Sequence, residues 1–175
     1  DFDGDGVADI AVAADDYDSY TSGFDVFFAS GAVLSTTVPT AWRAGLSLQA
    51  IDFDGAGGLD LLHADKAAPN AYVYSLIGGQ LTTLQALTTS LDYIGNTPWL
   101  WMAGDLDNDL DVDVVCFKPE LGGNGVPRYQ VFRRTGAVSM VAEAQAIGGP
   151  VEYLAYIDGD GDLDGVCCGG GQPSY

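Results

Sequence analysis

The first ten residues, DFDGDGVADI, place aspartates at alternate positions, Asp1, Asp3 and Asp5, and add a fourth at Asp9. Calcium is a hard cation that takes six to eight oxygens at about 2.3–2.6 Å, and alternate residues of a tight loop can turn inward to meet it. Asp1, Asp3, Asp5 and Asp9, with the backbone carbonyl of Val7, make such a shell. Gly4 and Gly6 permit the sharp turn, because glycine tolerates the positive φ that converging oxygens require. Carboxylates this close repel one another unless a cation sits between them. The alternative is an acidic surface turn that holds no metal.

The pattern returns at a spacing of roughly fifty residues, the mark of a repeat architecture. The copies are DFDGAGGLDL from Asp52, DLDNDLDVDV from Asp105 and the shorter DGDGDLDGV from Asp158. In the second, Ala56 replaces the third aspartate. That leaves Asp52, Asp54 and Asp60, with Gly58 at the carbonyl position, and predicts weaker binding or an added water. The third keeps Asp105, Asp107, Asp109 and Asp113, carries Asp111 at the seventh place, and has Leu110 where the others have Gly, which leaves its turn geometry open. The fourth has two registers. One starts at Asp158 and runs through Asp160 and Asp162. The preferred one uses Asp158, Asp160 and Asp164 and restores Gly161 to the turn. Together the loops predict about three or four Ca2+ ions.

An EF-hand would need a bidentate Glu at the twelfth position and flanking helices, but that position is Val12, His63 or Cys116 in the first three copies. Each loop is followed instead by a short apolar run: IAVAA from Ile10, LLHA from Leu61, VVCF from Val114 and VCC from Val166. These runs read as buried strands.

A D-x-D-x-D-G-x-x-D loop between two apolar strands, recurring about every fifty residues, resembles the FG-GAP and VCBS repeats of integrin α-subunit propellers and secreted bacterial proteins. The resemblance spans the whole chain and is more specific for fold than for function. It implies an all-β chain of β-propeller-like blades, each of four antiparallel strands, with the loop joining the first two strands and holding calcium on the residues named above.

The sequence places strands near residues 9–14, 24–29 and 33–38, then 46–51, 59–64, 71–77 and 81–87. Further strands fall near 99–103, 112–117, 128–133 and 137–144, and finally near 151–157 and 165–168. Gly78-Gly79 and Thr135-Gly136 punctuate hairpins. The repeats run approximately 1–45, 46–97, 98–149 and 150–175, about three blades with partial strands at both ends, in one repeat domain. Propellers close with about four to eight blades, so this chain reads as a segment of a larger propeller or assembly, with its terminal strands available for self-association.

The net charge is −19, but 47% of residues are apolar, which argues for a folded core rather than disorder. The loops hold most of the acid. With six Lys and Arg in all, nucleic acid and anionic lipid are poor partners. No apolar run approaches the roughly eighteen residues of a membrane span. Calcium loops imply an extracellular or cell-surface protein whose signal segment has been removed. Cys116 and Cys167 occupy matching places after their loops and read as small core residues, with a disulfide between them as the alternative.

The functional expectation is a calcium-stabilised binding or adhesion module. Long loops at 15–23, 92–98 and 120–127, with Tyr17, Tyr20, Tyr93 and Trp42, could meet a protein or carbohydrate ligand. Trp99 and Trp101 read as packing between blades. His63, the single histidine, lies within a buried run and reads as structural, so no catalytic residue is assigned. An alternative is a structural subunit of an extracellular assembly or filament. The resemblance also allows the non-catalytic propeller part of a polysaccharide-acting enzyme.

Overall fold

The computed structural model describes residues 1–16, 21–39, 46–65, 69–91, 99–118, 128–143, 146–147, 153–155 and 164–166. Among these every regular element is a strand, and every pairing is antiparallel. Sheet I contains β1 (Ile10–Asp16), β2 (Thr21–Phe27) and β3 (Val33–Pro39). Sheet II contains β4 (Leu46–Ile51), β5 (Asp60–Asp65), β6 (Asn70–Ile77) and β7 (Gln80–Thr88). Sheet III contains β8 (Leu100–Gly104), β9 (Asp113–Lys118), β10 (Arg128–Arg134), β11 (Met140–Ala142) and β12 (Ala146–Ile147). A two-stranded ribbon pairs β13 (Tyr153–Ala155) with β14 (Asp164–Val166).

Each sheet is a meander in which chain neighbours are also sheet neighbours, the arrangement short turns favour, except that β11 and β12 both pair with β10. Between β6 and β7 the turn is Gly78-Gly79, with φ of 60° and 78°. Two consecutive positive φ values define the type I′ hairpin, whose twist matches that of the flanking strands. The last strand of sheet III departs from the expected 137–144 segment. Thr135 N donates to Ser139 O at 2.8 Å, closing a wider turn, so pairing starts only at Met140 and resumes on β10 at β12.

Alternation along the strands sends side chains to two seams. Phe24, Val26 and Phe28 of the β2 region meet Leu61 of β5, with Leu48, Tyr74 and Leu76 beside them, between sheets I and II. Leu62, Ala64, Val73 and Leu87 meet Trp101, Ala103, Val114, Cys116 and Phe132 between sheets II and III. Trp99 joins the second seam, and Trp101 stacks on Phe132 at 5.6 Å, so both tryptophans pack between sheets. β9 is buried at all six positions, as a strand covered on both faces must be. Cys116 is buried and free, and burial pushes its thiol up. Cys167 lies outside the described residues.

Polar links supplement the second seam. The Gln49 side-chain amide donates to Ala103 O at 2.8 Å and accepts from Ala103 N at 3.0 Å. Gln130 Oε1 accepts from Thr89 Oγ1 at 2.8 Å and Ser90 N at 2.9 Å, while its Nε2 donates to Glu143 O.

His63 sits in β5 with no exposed surface, among Phe24, Tyr72 and Tyr74, and neither ring nitrogen has a hydrogen-bond partner. Burial lowers its pKa from 6.5 to about 4. The unfolded chain therefore binds a proton below pH 6.5 that the folded chain refuses, and this contribution to stability is lost as pH falls from 6.5 towards 4. Denaturant unfolding should show a loss of up to about 3 kcal/mol over that window. His63→Leu should remove that part of the pH dependence and unfold no more easily at pH 7, which a parallel denaturation series checks.

Candidate metal centres

Three loops lead directly into a strand, residues 1–9 into β1, 52–60 into β5 and 105–113 into β9, and β5 and β9 are each the second strand of their sheets. Their backbones follow one course. The fourth position has positive φ in each, at Gly4 (77°), Gly55 (72°) and Asn108 (59°), and so does the sixth, at Gly6 (86°), Gly57 (90°) and Leu110 (70°). Leu110 therefore keeps the turn of the other two loops. It adopts the left-handed conformation and points into solvent, 87% exposed.

The first aspartate of each loop folds the turn around its own carboxylate, a local side-chain-to-backbone arrangement that Asp favours. Asp1 accepts from Gly4 N at 2.7 Å and Gly6 N at 2.9 Å. Asp52 accepts from Gly55 N at 2.9 Å. Asp105 accepts from Leu110 N at 2.9 Å and Asp109 N at 3.2 Å. Asp3 and Asp54 accept from the amides two residues on, Asp5 N and Ala56 N.

The ninth aspartate ties the loop to the sheet. Asp9 accepts from Phe2 N at 2.7 Å and from Ala29 N, just past β2, at 3.0 Å, and the Phe2 amide holds its carboxyl below the usual range. Asp60 accepts from Phe53 N and Asp54 N at 3.0 and 3.3 Å; it is buried, and that burial raises its pKa. Asp113 accepts from Arg134 N at 3.0 Å and from the Arg133 guanidinium.

Carboxylate oxygens converge in each loop. Asp1, Asp3 and Asp9 bring theirs within 4.8 Å of one another, as do Asp52, Asp54 and Asp60, and Asp105, Asp107 and Asp109. Three hard oxygens at such separations suit a cation of the calcium class better than softer metals, which favour sulfur or imidazole. Three of the expected ligands therefore come together in each of these loops, and others do not. Asp5 turns to Val7 N at 2.7 Å and stands outside the first group. Asp111 pairs with Arg134 at 3.2 Å, and Asp113 with Arg133. Val7, expected to offer its carbonyl, sits exposed in the first loop, and Gly58 borders the Phe2 carbonyl. Asp158, Asp160 and Asp162 lie outside the described residues, as do Tyr17, Tyr20, Trp42 and Tyr93. For Asp164 only the backbone is described, in β14.

Two features escaped the sequence reading. Phe2 and Phe53, at the second position of their loops, are buried plugs, Phe2 in the first seam and Phe53 in the second. The aromatic shared by two copies was the available signal. The other is the Arg133-Arg134 pair, a third of the chain's six basic residues, set beside the loop richest in aspartate.

Compared with protein-family models, curated proteins and solved structures, the chain matches none.

An L-residue in the left-handed region costs roughly 1–2 kcal/mol, and nothing lies within 4 Å of a Cβ added at Gly6. Leu110→Gly should therefore stabilise the chain by up to about 1 kcal/mol after glycine's own entropy cost, and Gly6→Ala should destabilise it by about 1 kcal/mol. Paired denaturation curves check both signs.

Proposed function

We propose that the chain is an extracellular, calcium-stabilised repeat segment of the FG-GAP/VCBS type. Its sheets are blades of a propeller-like stack, and it serves as a binding or adhesion module for a protein or carbohydrate. The second loop carries this reading. Asp60 is 2% exposed and converges with Asp52 and Asp54, and no cationic side chain pairs with any of them among the described residues. A buried carboxylate without a counter-charge is costly. A calcium ion bound by all three removes that cost and ties the end of β4 to the start of β5. Millimolar calcium outside cells suits a structural site of modest affinity, in the range of about 10⁻⁴–10⁻³ M.

The blade reading draws support from the way both faces of sheet II are covered, one by sheet I and the other by sheet III. A second reading, a subunit of an extracellular assembly, is favoured by sheet I. Its outer face presents Ile10, Val12, Phe27 and Val33, and β1 pairs with β2 alone among the described strands. Leu61 and His63 hold the places in β5 that Ile10 and Val12 hold in β1, and they are buried against a preceding sheet.

Calcium should raise the thermal midpoint of metal-free protein and EDTA should reverse the gain. A free concentration a hundred times the dissociation constant contributes about 2.7 kcal/mol per site. Asp60→Asn should reduce the bound calcium by one equivalent in metal analysis. A melt insensitive to both reagents, in protein carrying no divalent ion, sinks the calcium reading. Sedimentation with and without calcium separates the two roles, a monomer favouring the module and a concentration-dependent polymer the assembly.

A further inference from the structure

We propose that Arg133 is a built-in counter-cation of the third loop, holding it closed without metal and competing with calcium for Asp107 and Asp113. The competition rests on the calcium reading above; the closure does not.

The three loops differ in what faces their ninth aspartate. Asp9, Asp60 and Asp113 stand at the same strand junction, and the registers, continued by one residue, set Phe28, Ser75 and Arg133 opposite them. In the first two loops the facing residue brings no charge. In the third, Arg133 Nη1 bonds Asp113 Oδ2 and lies 3.3 Å from Asp107 Oδ2, while its Nε reaches Glu143 Oε1 at 3.2 Å. One guanidinium thus joins the loop, β9 and the segment after β11. Its planar fork suits this bridging, and it stays charged at every accessible pH. Burial works against that charge, but the hydrogen bond and charge of Asp113 outweigh it and raise the Arg133 pKa.

The carboxylate groupings carry the same signature. The first and second loops gather their first, third and ninth aspartates, whereas the third gathers its first, third and fifth, Asp105, Asp107 and Asp109. The ninth carboxylate of the third loop is already taken, and its side chain is only 3% exposed. A calcium ion recruiting Asp113 must first displace a cation tethered to the neighbouring strand. Closure of this loop is thereby uncoupled from the calcium supply.

The test is amide hydrogen exchange in EDTA on the parent chain, Arg133→Ser, which installs the residue of the second segment, and Arg133→Lys, which keeps a charge but not the fork. The parent should protect the Arg134 amide and the amides of residues 109–114. Arg133→Ser should accelerate their exchange at least tenfold, Arg133→Lys less, with the amides of β5 and β6 unchanged as the measure of an intact fold. Adding calcium chloride to Arg133→Ser should restore protection, at a concentration at least tenfold below that at which the parent's third loop responds. Unchanged exchange in both variants overturns the closure, and an unshifted calcium midpoint overturns the competition. If exchange accelerates but neither the second nor the third loop responds to calcium, the calcium reading fails and the closure stands.

Discussion

The ninth aspartate of each loop is the constraint on which the rest depends. It is the point where a turn must become a strand and that strand must find its partner, and one carboxylate serves both needs. Asp9 takes one amide from the loop's own start and another from just beyond β2. Asp113 takes its amide from the end of β10. Oriented backbone donors can hold a carboxylate charged even where solvent is scarce, so these residues can sit at the edge of the core. Asp60 and Asp113 do so, each 2% exposed. Placing an anion there sets a standing demand for positive charge, which the third segment meets with Arg133.

The loops also bear on one another. Leu59 N, at the end of the second loop, donates to Asp1 O at 3.2 Å, and the Arg134 guanidinium lies over the Phe53 ring at 5.6 Å. Each loop is thus seated against its neighbour, with Phe2 and Phe53 closing the mouths of the two seams. The acidic loops at 1–9 and 52–60 are thereby brought side by side, and Arg134 links the second to Asp111 of the third. Crowding shows at Asp107, whose pKa is raised by burial and by the charges of Asp109, Asp113 and Asp105 despite the nearby Arg133.

The strands were legible in the sequence because each apolar run is short and bounded by Asp, Gly or Pro, and because side chains alternating across two covered faces leave a simple pattern. The aspartate spacing placed Asp52, Asp54 and Asp60 together, and Asp1, Asp3 and Asp9, but it also included Asp5, which turns away to the Val7 amide. What stayed hidden depended on groups far apart in the chain. Nothing local to Asp113 says that Arg133, twenty residues on, will reach back to it. Likewise, Gln49 reads as an ordinary polar strand residue until Ala103 is set beside it. Leu110 left the turn open for another reason: its conformational preference opposes the left-handed region, yet the hydrogen bonds around Asp105 hold it there.

The Gln49 side chain has a mechanical consequence. Its amide meets the Ala103 backbone with one donor and one acceptor, as a short piece of extra strand would, and so rivets β4 to β8 across a seam made largely of apolar contacts. Apolar surfaces resist separation but slide with little penalty, because burial has no direction. Two parallel hydrogen bonds have a direction and a register. Sheets II and III are therefore locked against slip along their strands, and a pull on the chain loads this rivet in shear, with both bonds strained together, rather than peeling them one after the other.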